Sequence, residues 1–173
     1  MNIKEVIDKW KIYKRQFIKE SSYYHYCTLI RKHIIVYFGD KNEFLEDDLQ
    51  EFVLKKLNDG MGIKTIQDCV TVIKMIHKYG AKKGYWDLKI FDISYPVVCE
   101  KKKLKVFSKS DQKKLMDYLK ENFSFFNLGI MICLSTGLRI GEICGLKWCD
   151  IDIENQIIKI ERTIQRLSVE LNG

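Results

Sequence analysis

Apolar residues return at helical spacing through the first 82 positions, and no proline interrupts them. From Ile3 to Ile18 the set Ile3, Val6, Ile7, Trp10, Tyr13, Phe17 and Ile18 keeps the rhythm that places one helix face in a core. Ser21 or Ser22 can cap a second helix, which runs to about Phe38 and stops at Gly39. Its inward set is Tyr26, Leu29, Ile30, His33 or Ile34, and Tyr37. A third helix spans roughly Glu46 to Leu57, with Asp47 and Asp48 in the first turn, where the helix dipole favours negative charge. Asn58-Asp59-Gly60-Met61-Gly62 is a turn signal. A fourth helix, Ile63 to about Lys82, buries Ile66, Cys69 or Val70, Ile73, Ile76 and His77. No strand signal precedes residue 90, so this half is expected to form a compact four-helix bundle.

Composition narrows the class. A chain of 173 residues with 46% hydrophobic content can bury a core as one domain or two small ones. One proline and 12% aromatic residues argue against a disordered chain. Lys and Arg number 30 against 23 Asp and Glu, a net charge of +7, which favours a polyanionic partner, nucleic acid before an anionic membrane surface. Met1 to Glu20 is charged throughout, unlike a secretory leader, and no run of about 18 apolar residues exists. A cytoplasmic protein with no membrane partner is therefore expected. Six cysteines are scattered, with no Cys-x-x-Cys pair. They read as reduced, mostly buried thiols rather than a zinc site or disulfide frame, and no metal is expected.

Gly84 to Lys105 loses helical periodicity and contains Pro96. Glu100-Lys101-Lys102-Lys103-Leu104-Lys105 concentrates positive charge. It reads as a soluble tether, or as a strap that crosses a DNA backbone and gains salt-dependent affinity by counterion release. Ser108 and Asp111 then mark a helix start, with Leu115, Met116 and Leu119 inward as far as about Glu121. Phe125 to Leu134 reads as a buried helix, broken by Thr136-Gly137. A short helix restarts at about Leu138 and stops near Trp148, with Ile140, Ile143, Cys144 and Leu146 on its apolar side. Arg139 projects onto that same side. A charge aimed at a core needs a partner, and Glu142 lies in reach at i+3; the plainer reading is an arginine that snorkels outward and pairs with Glu142. Asp150 to Glu154 reads as strand or turn and lacks the glycine of an EF-hand. Ile157 to Ile164 reads as a strand, with Leu167 to Leu171 starting its hairpin partner.

The string Thr136-Gly137-Leu138-Arg139-Ile140-Gly141-Glu142-Ile143, followed by Gly145-Leu146, Trp148 and Asp150-Ile151, resembles the first catalytic box of the tyrosine recombinase (phage integrase) family. In that family the arginine at the position of Arg139 grips the scissile phosphate, and the acidic residue at the position of Glu142 supports it. Arginine suits this role because its planar fork donates two hydrogen bonds to one phosphate and stays charged. Such donors help most where charge grows in the transition state. The first four helices resemble the family's core-binding domain, one half of a clamp around DNA. The resemblance implies a mainly α chain: a four-helix SAM-like core-binding domain over 1–84, a basic linker over 85–106, and the incomplete N-terminal part of a mixed α+β catalytic domain over 107–173. Expected DNA contacts are Lys64, Thr65, Lys74, Lys78, Lys82 and Lys83 on the fourth helix, with Lys101, Lys102, Lys103 and Lys105 in the linker; the bland alternative is a solvated helix face. His25, His33 and His77 are expected to pack or cap, since none follows the family's His-x-x-Arg pattern.

The family's nucleophile is a tyrosine near the C-terminus, which forms a 3′-phosphotyrosyl link and needs no cofactor, since the enzyme link conserves the phosphoester. This sequence has no tyrosine after Tyr118 and no histidine after His77, and Lys159 is read as a strand surface residue rather than the family's hairpin lysine. The expectation is an N-terminal fragment of a site-specific DNA recombinase that binds double-stranded DNA but does not cleave it alone. Tetramers on DNA are implied for the complete enzyme and a monomer off DNA for the fragment. Two other readings compete: a non-catalytic DNA-binding module occupying recombination sites, and a helical interaction protein whose charge only aids solubility.

Overall fold

The computed structural model describes residues 2–96 and 106–167. They divide into two compact units, residues 2–96 and residues 106–166. The first contains α1 (Ile3–Arg15), α2 (Glu20–Leu29), α3 (Ile35–Phe38), α4 (Glu46–Asn58) and α5 (Ile63–Lys82). The second contains α6 (Lys109–Glu121), α7 (Phe125–Thr136), α8 (Ile140–Gly145) and a two-stranded antiparallel ribbon, β1 (Ile151–Asp152) and β2 (Ile157–Ile158). No helix among the described residues is long and apolar enough to cross a membrane.

The apolar rhythm of the first unit becomes its core. α1 starts at Asn2, whose side chain accepts the Glu5 N–H at 2.9 Å, and buries Ile3, Val6, Ile7 and Trp10. It ends three residues earlier than its apolar pattern, leaving Phe17 exposed. α2 passes through a π-helical turn (Ile30–Ile34) into α3, one continuous helical run. An unbroken α-helix would rotate residues four apart by about 40° per step; the wider turn keeps Ile30, Ile34 and Phe38 buried together. Lys19 holds the N-cap of α2 and makes no side-chain bond, so Ser21 and Ser22 lie inside the helix rather than capping it. Phe38 packs against Phe44 edge-on and against Phe52 at a tilt, with ring centroids 5.3 and 5.4 Å apart, at the centre. α5 buries Ile66, Cys69, Val70, Val72, Ile73, Ile76 and His77 along its length.

Residues 85–95, read from the sequence as the start of the linker, belong to this core. Phe91 and Ile93 are buried, while Asp92 and Ser94 face solvent. The segment is stitched to two helices: Lys74 donates to the Phe91 carbonyl (2.9 Å), Glu46 accepts the Asp92 N–H (2.9 Å), and Gln50 exchanges two bonds with the Ser94 backbone. Trp86 lies parallel to His77, with ring centroids 5.7 Å apart, and donates to its carbonyl at 2.9 Å. A Cβ on Gly80 would sit 2.2 Å from the Trp86 ring, so the indole packs directly on bare helix backbone.

The second unit is built differently. Ser108 caps α6 by accepting the Asp111 N–H at 3.1 Å, as its sequence predicts, and Leu119 is buried. α7 is correct in position but not in environment: none of its residues is buried, and Phe125 and Phe126 are 86% and 78% exposed. α6 and α8 pack against this helix, and an apolar groove of about 230 Å³ runs between Leu128, Ile132, Ile143, Leu146 and Trp148. The expected strand from Ile157 contracts to Ile157–Ile158, paired with Ile151–Asp152; the continuing chain lies on α8 instead. The expected partner strand from Leu167 falls almost wholly outside the described residues. Cysteine burial also differs from expectation. Of the five described, Cys69 alone is buried, while Cys144 and Cys149 are exposed.

His77 ties fold to pH. It is 2% exposed, and its Nε2 accepts the Lys89 N–H at 2.9 Å. Burial pushes its pKa below the ordinary 6.5, with nearby Lys89 adding to the effect and Glu43 opposing it. His33 shifts the same way, from burial and from Lys56 and Lys32. A neutral histidine in the fold and a titrating one in the unfolded chain give stability that is present above about pH 6.5 and lost as pH falls below it. The urea midpoint of the first unit should therefore drop between about pH 7.5 and pH 5.5. His77→Phe should lower the midpoint at the higher pH but reduce its pH dependence; an unchanged dependence in that variant refutes the assignment.

Candidate functional site

The site forms where α7 stops and α8 begins. Gly137 takes the left-handed conformation at φ 72°, and its N–H closes α7 on the Cys133 carbonyl at 2.9 Å. Such an angle suits glycine. The Thr136 hydroxyl accepts the Leu138 N–H at 3.3 Å, bridging the corner. Arg139 is then the N-cap of α8, with extended backbone angles.

That placement corrects the projection of Arg139 onto the apolar side and matches the plainer reading, an arginine turned outward and paired with Glu142. The helix starts at Ile140, not Leu138, so Arg139 stands outside the helical projection, and its side chain is 86% exposed. Glu142 holds it from behind. One carboxylate oxygen accepts the Arg139 backbone N–H at 2.8 Å; the other meets the guanidinium Nη1 at 3.2 Å. Those contacts, the backbone bond first, hold the Glu142 carboxyl below its usual range against the opposing effect of burial. Glu142 engages one Nη, and with the side chain 86% exposed the guanidinium is open to solvent. The arrangement is an anchored, solvent-presented cation suited to an oxyanion.

α8 has only six residues and two are glycines, a composition that does not sustain an isolated helix. It is held by the segment that follows β2. The Ile164 N–H donates to the Gly141 carbonyl at 2.9 Å, and Arg162 Nη1 donates to the Gly145 carbonyl at 3.2 Å. A Cβ on Gly141 would meet the Ile164 carbonyl oxygen at 2.7 Å, and one on Gly145 would meet the Arg162 carbonyl oxygen at 2.8 Å. The two glycines therefore make a flat face on which backbone lies against backbone. Sequence reasoning missed this contact, although glycines spaced i, i+4 in a short helix were its signal. It also missed Asp150, which is 5% exposed and pairs with both Nη atoms of Arg162 while accepting the Lys147 N–H at 2.8 Å. Arg162, followed by that backbone bond, pulls the Asp150 carboxyl below its usual range.

The lysines expected to touch DNA lie elsewhere, along α5. Lys64, Thr71, Lys78 and Lys82 share a stripe about 40° wide and about 27 Å long by helix geometry, and all four are exposed. Lys64 is paired with Asp68 at 3.0 Å. Thr65, half-buried, and Lys83, whose ammonium lies 6.0 Å from the Tyr79 ring centre, fall about 100° off that stripe. Lys74 is exposed, but its ammonium is committed to the Phe91 carbonyl. Lys101, Lys102, Lys103 and Lys105 lie outside the described residues. Among the described residues no group of three or more His, Cys, Asp or Glu side chains is placed to hold a metal.

Comparison with known proteins finds matches for both units. Residues 2–57 match the family model described as the phage integrase N-terminal SAM-like domain, and residues 105–171 match that of the phage integrase family. A XerC-like tyrosine recombinase of Caldanaerobacter subterraneus is 26% identical over 167 residues, which is 93% of this chain and 39% of that protein. The ICEBs1 integrase of Bacillus subtilis is 24% identical over 136 residues, 78% of this chain and 37% of the relative. Among solved structures, the Tn1549 transposon integrase in complex with transposon right end DNA shares the fold, with a TM-score of 0.76 at 22% identity over 97% of this chain and 55% of its own. The chain thus spans less than half the length of these two curated relatives. It belongs to the phage integrase, or tyrosine recombinase, family and corresponds to that family's N-terminal portion.

The glycine face gives a paired prediction. Gly141→Ala should force the 162–164 segment off α8 and destabilise the second unit by about 1–3 kcal/mol. Gly129→Ala, whose Cβ would meet only Ile143 Cγ2 at 3.9 Å, should be neutral or stabilising by up to about 1 kcal/mol, since alanine favours the helix. Hydrogen exchange at the α8 amides distinguishes them: faster exchange only in Gly141→Ala is expected, and equal rates contradict the packing.

Proposed function

We propose that this chain is the DNA-gripping portion of a site-specific recombinase. In this reading Arg139 binds a backbone phosphate at the crossover point and Glu142 orients it. The observation that carries the proposal is the outward guanidinium of Arg139, tethered by Glu142 at the head of α8. The lysine stripe of α5 would contact further phosphates and set position, while base readout falls to other groups. Lys101, Lys102, Lys103 and Lys105 would add charge across the backbone between the two units. The complete enzyme would break and rejoin strands through a phosphotyrosine and assemble as a tetramer on DNA in the cytoplasm. Within these 173 residues no tyrosine follows Tyr118 and no histidine follows His77, so the chain is expected to bind without cleaving and to be monomeric off DNA.

Fluorescence anisotropy with duplex DNA tests the reading. Affinity should fall steeply between about 50 and 200 mM salt. Replacing Lys78 and Lys82 with Ala should flatten the log–log salt slope by about 1 per lost contact; Lys101, Lys102 and Lys103 changed to Ala should do likewise. Arg139→Ala should weaken binding only modestly, and no covalent protein–DNA adduct should form with a nicked substrate. Salt-independent binding, or a slope untouched by all five lysines, would sink the proposal in favour of an interaction protein whose charge serves solubility.

A further inference from the structure

We propose that Asp150 and Arg162 are positioning residues for the Arg139–Glu142 grip, acting as a splint that fixes α8 from outside. The inference rests on the reading of Arg139 as the phosphate-binding group. Arg162 sits at the centre of the arrangement. Its guanidinium spans the buried Asp150 carboxylate and the Gly145 carbonyl that ends α8. Two residues on, the Ile164 N–H holds the Gly141 carbonyl at the helix's first turn. The two ties grip carbonyls four residues apart, one at each end of α8, so the segment 162–164 fixes both the axial position and the rotation of the helix. Arg139 is the residue immediately before that helix, and Glu142 lies within it. Any tilt of α8 is therefore transmitted directly to the guanidinium.

The chemistry needs an arginine at residue 162. A planar fork meets both oxygens of a carboxylate in parallel and still reaches a carbonyl with the same group; an ammonium has three donors but no fixed bidentate geometry. Asp150 is itself fixed by the Lys147 N–H, so the clamp ties the turn after α8, the helix and the post-ribbon segment into one piece. A looseness of about 1 Å at a gripping group is enough to cost large factors in productive geometry.

The test uses the full 173-residue chain with ¹⁵N-labelled arginine. The Arg139 Nε–H signal, assigned by its loss in Arg139→Lys, is titrated with inorganic phosphate in the parent, Arg162→Met, Arg162→Lys, Asp150→Asn and Asp152→Asn. Asp152 forms a turn with Asn155 in the same unit and makes no bond to α8, so it reports on general destabilisation. Arg162→Met and Asp150→Asn should weaken the Arg139 response about tenfold, Arg162→Lys should recover part of it, and Asp152→Asn should leave it unchanged. The proposal is overturned if folded Arg162→Met binds phosphate like the parent, or if Asp152→Asn loses as much. Should Arg162→Met fail to fold, Arg162→Lys decides by the same criterion. If phosphate leaves the parent's Arg139 signal unmoved, the reading of Arg139 fails instead; the splint is then judged by amide exchange at Glu142 to Gly145, where rates equal to the parent in Arg162→Met refute it.

Discussion

Burial of α5 is the interaction on which the first unit depends. Its twenty residues place seven apolar or aromatic side chains and Gly80 in the core, and α1, α2 and α4 all pack against it. Each large side chain so buried contributes on the order of 1.5–3 kcal/mol, and the sum fixes the helix's rotation. That rotation decides where its polar face points. Lys64, Lys78 and Lys82 need no packing of their own to form a stripe, because the apolar face has already set their direction. The order of causes runs from core to surface, and the charge pattern is a consequence of the burial pattern.

The second unit inverts this relation. Among its described residues Leu119 is the one buried apolar side chain, and α7 offers its phenylalanines to solvent. Hydrophobic contact alone does not hold α8. Directional bonds take over: two backbone carbonyls of α8, the Arg162 guanidinium and the Asp150 carboxylate set the geometry. Such bonds are individually modest, about 1 kcal/mol each net, but they define orientation better than apolar packing does. If Arg139 grips a phosphate as proposed, that exchange of strength for direction suits a site that must aim one guanidinium.

The fold is legible in the sequence wherever one helix face repeats. α4 and α5 begin and end within a residue of their periodicity, and the Ser108 cap and the Gly137 break are local chemistry that tertiary structure leaves alone. Legibility fails where contacts are long-range. Phe91, Ile93 and Tyr95 alternate with polar residues, but three periods of a two-residue repeat beside a proline look like a linker until α4 and α5 supply partners 44 and 17 positions away. The apolar composition of α7 predicts burial, yet composition reports what a helix would bury, not what is present to cover it. Asp150 and Arg162 lie 12 positions apart, and no local rule pairs them.

Glu142 shows how the second unit keeps its arginine both held and available. A carboxylate close to a gripping cation threatens to neutralise it, since an anion would then have to displace the first partner. Here the stronger tie of Glu142 is to the Arg139 backbone N–H, at 2.8 Å, and the side-chain contact is the longer one, at 3.2 Å. The carboxylate is thus anchored by a backbone amide as well as by the guanidinium. In the proposed reading, an arriving phosphate would meet the donors that Glu142 does not use. It would add to the existing pair rather than break it, so that little reorganisation would be needed as charge builds on the oxygens. A lysine in place of Arg139 would be a point charge with freely rotating donors and would lack the fixed bidentate edge a guanidinium can turn to a phosphate. In that reading, the choice of arginine and the backbone anchor of the glutamate are one solution to the problem of aiming a cation without neutralising it.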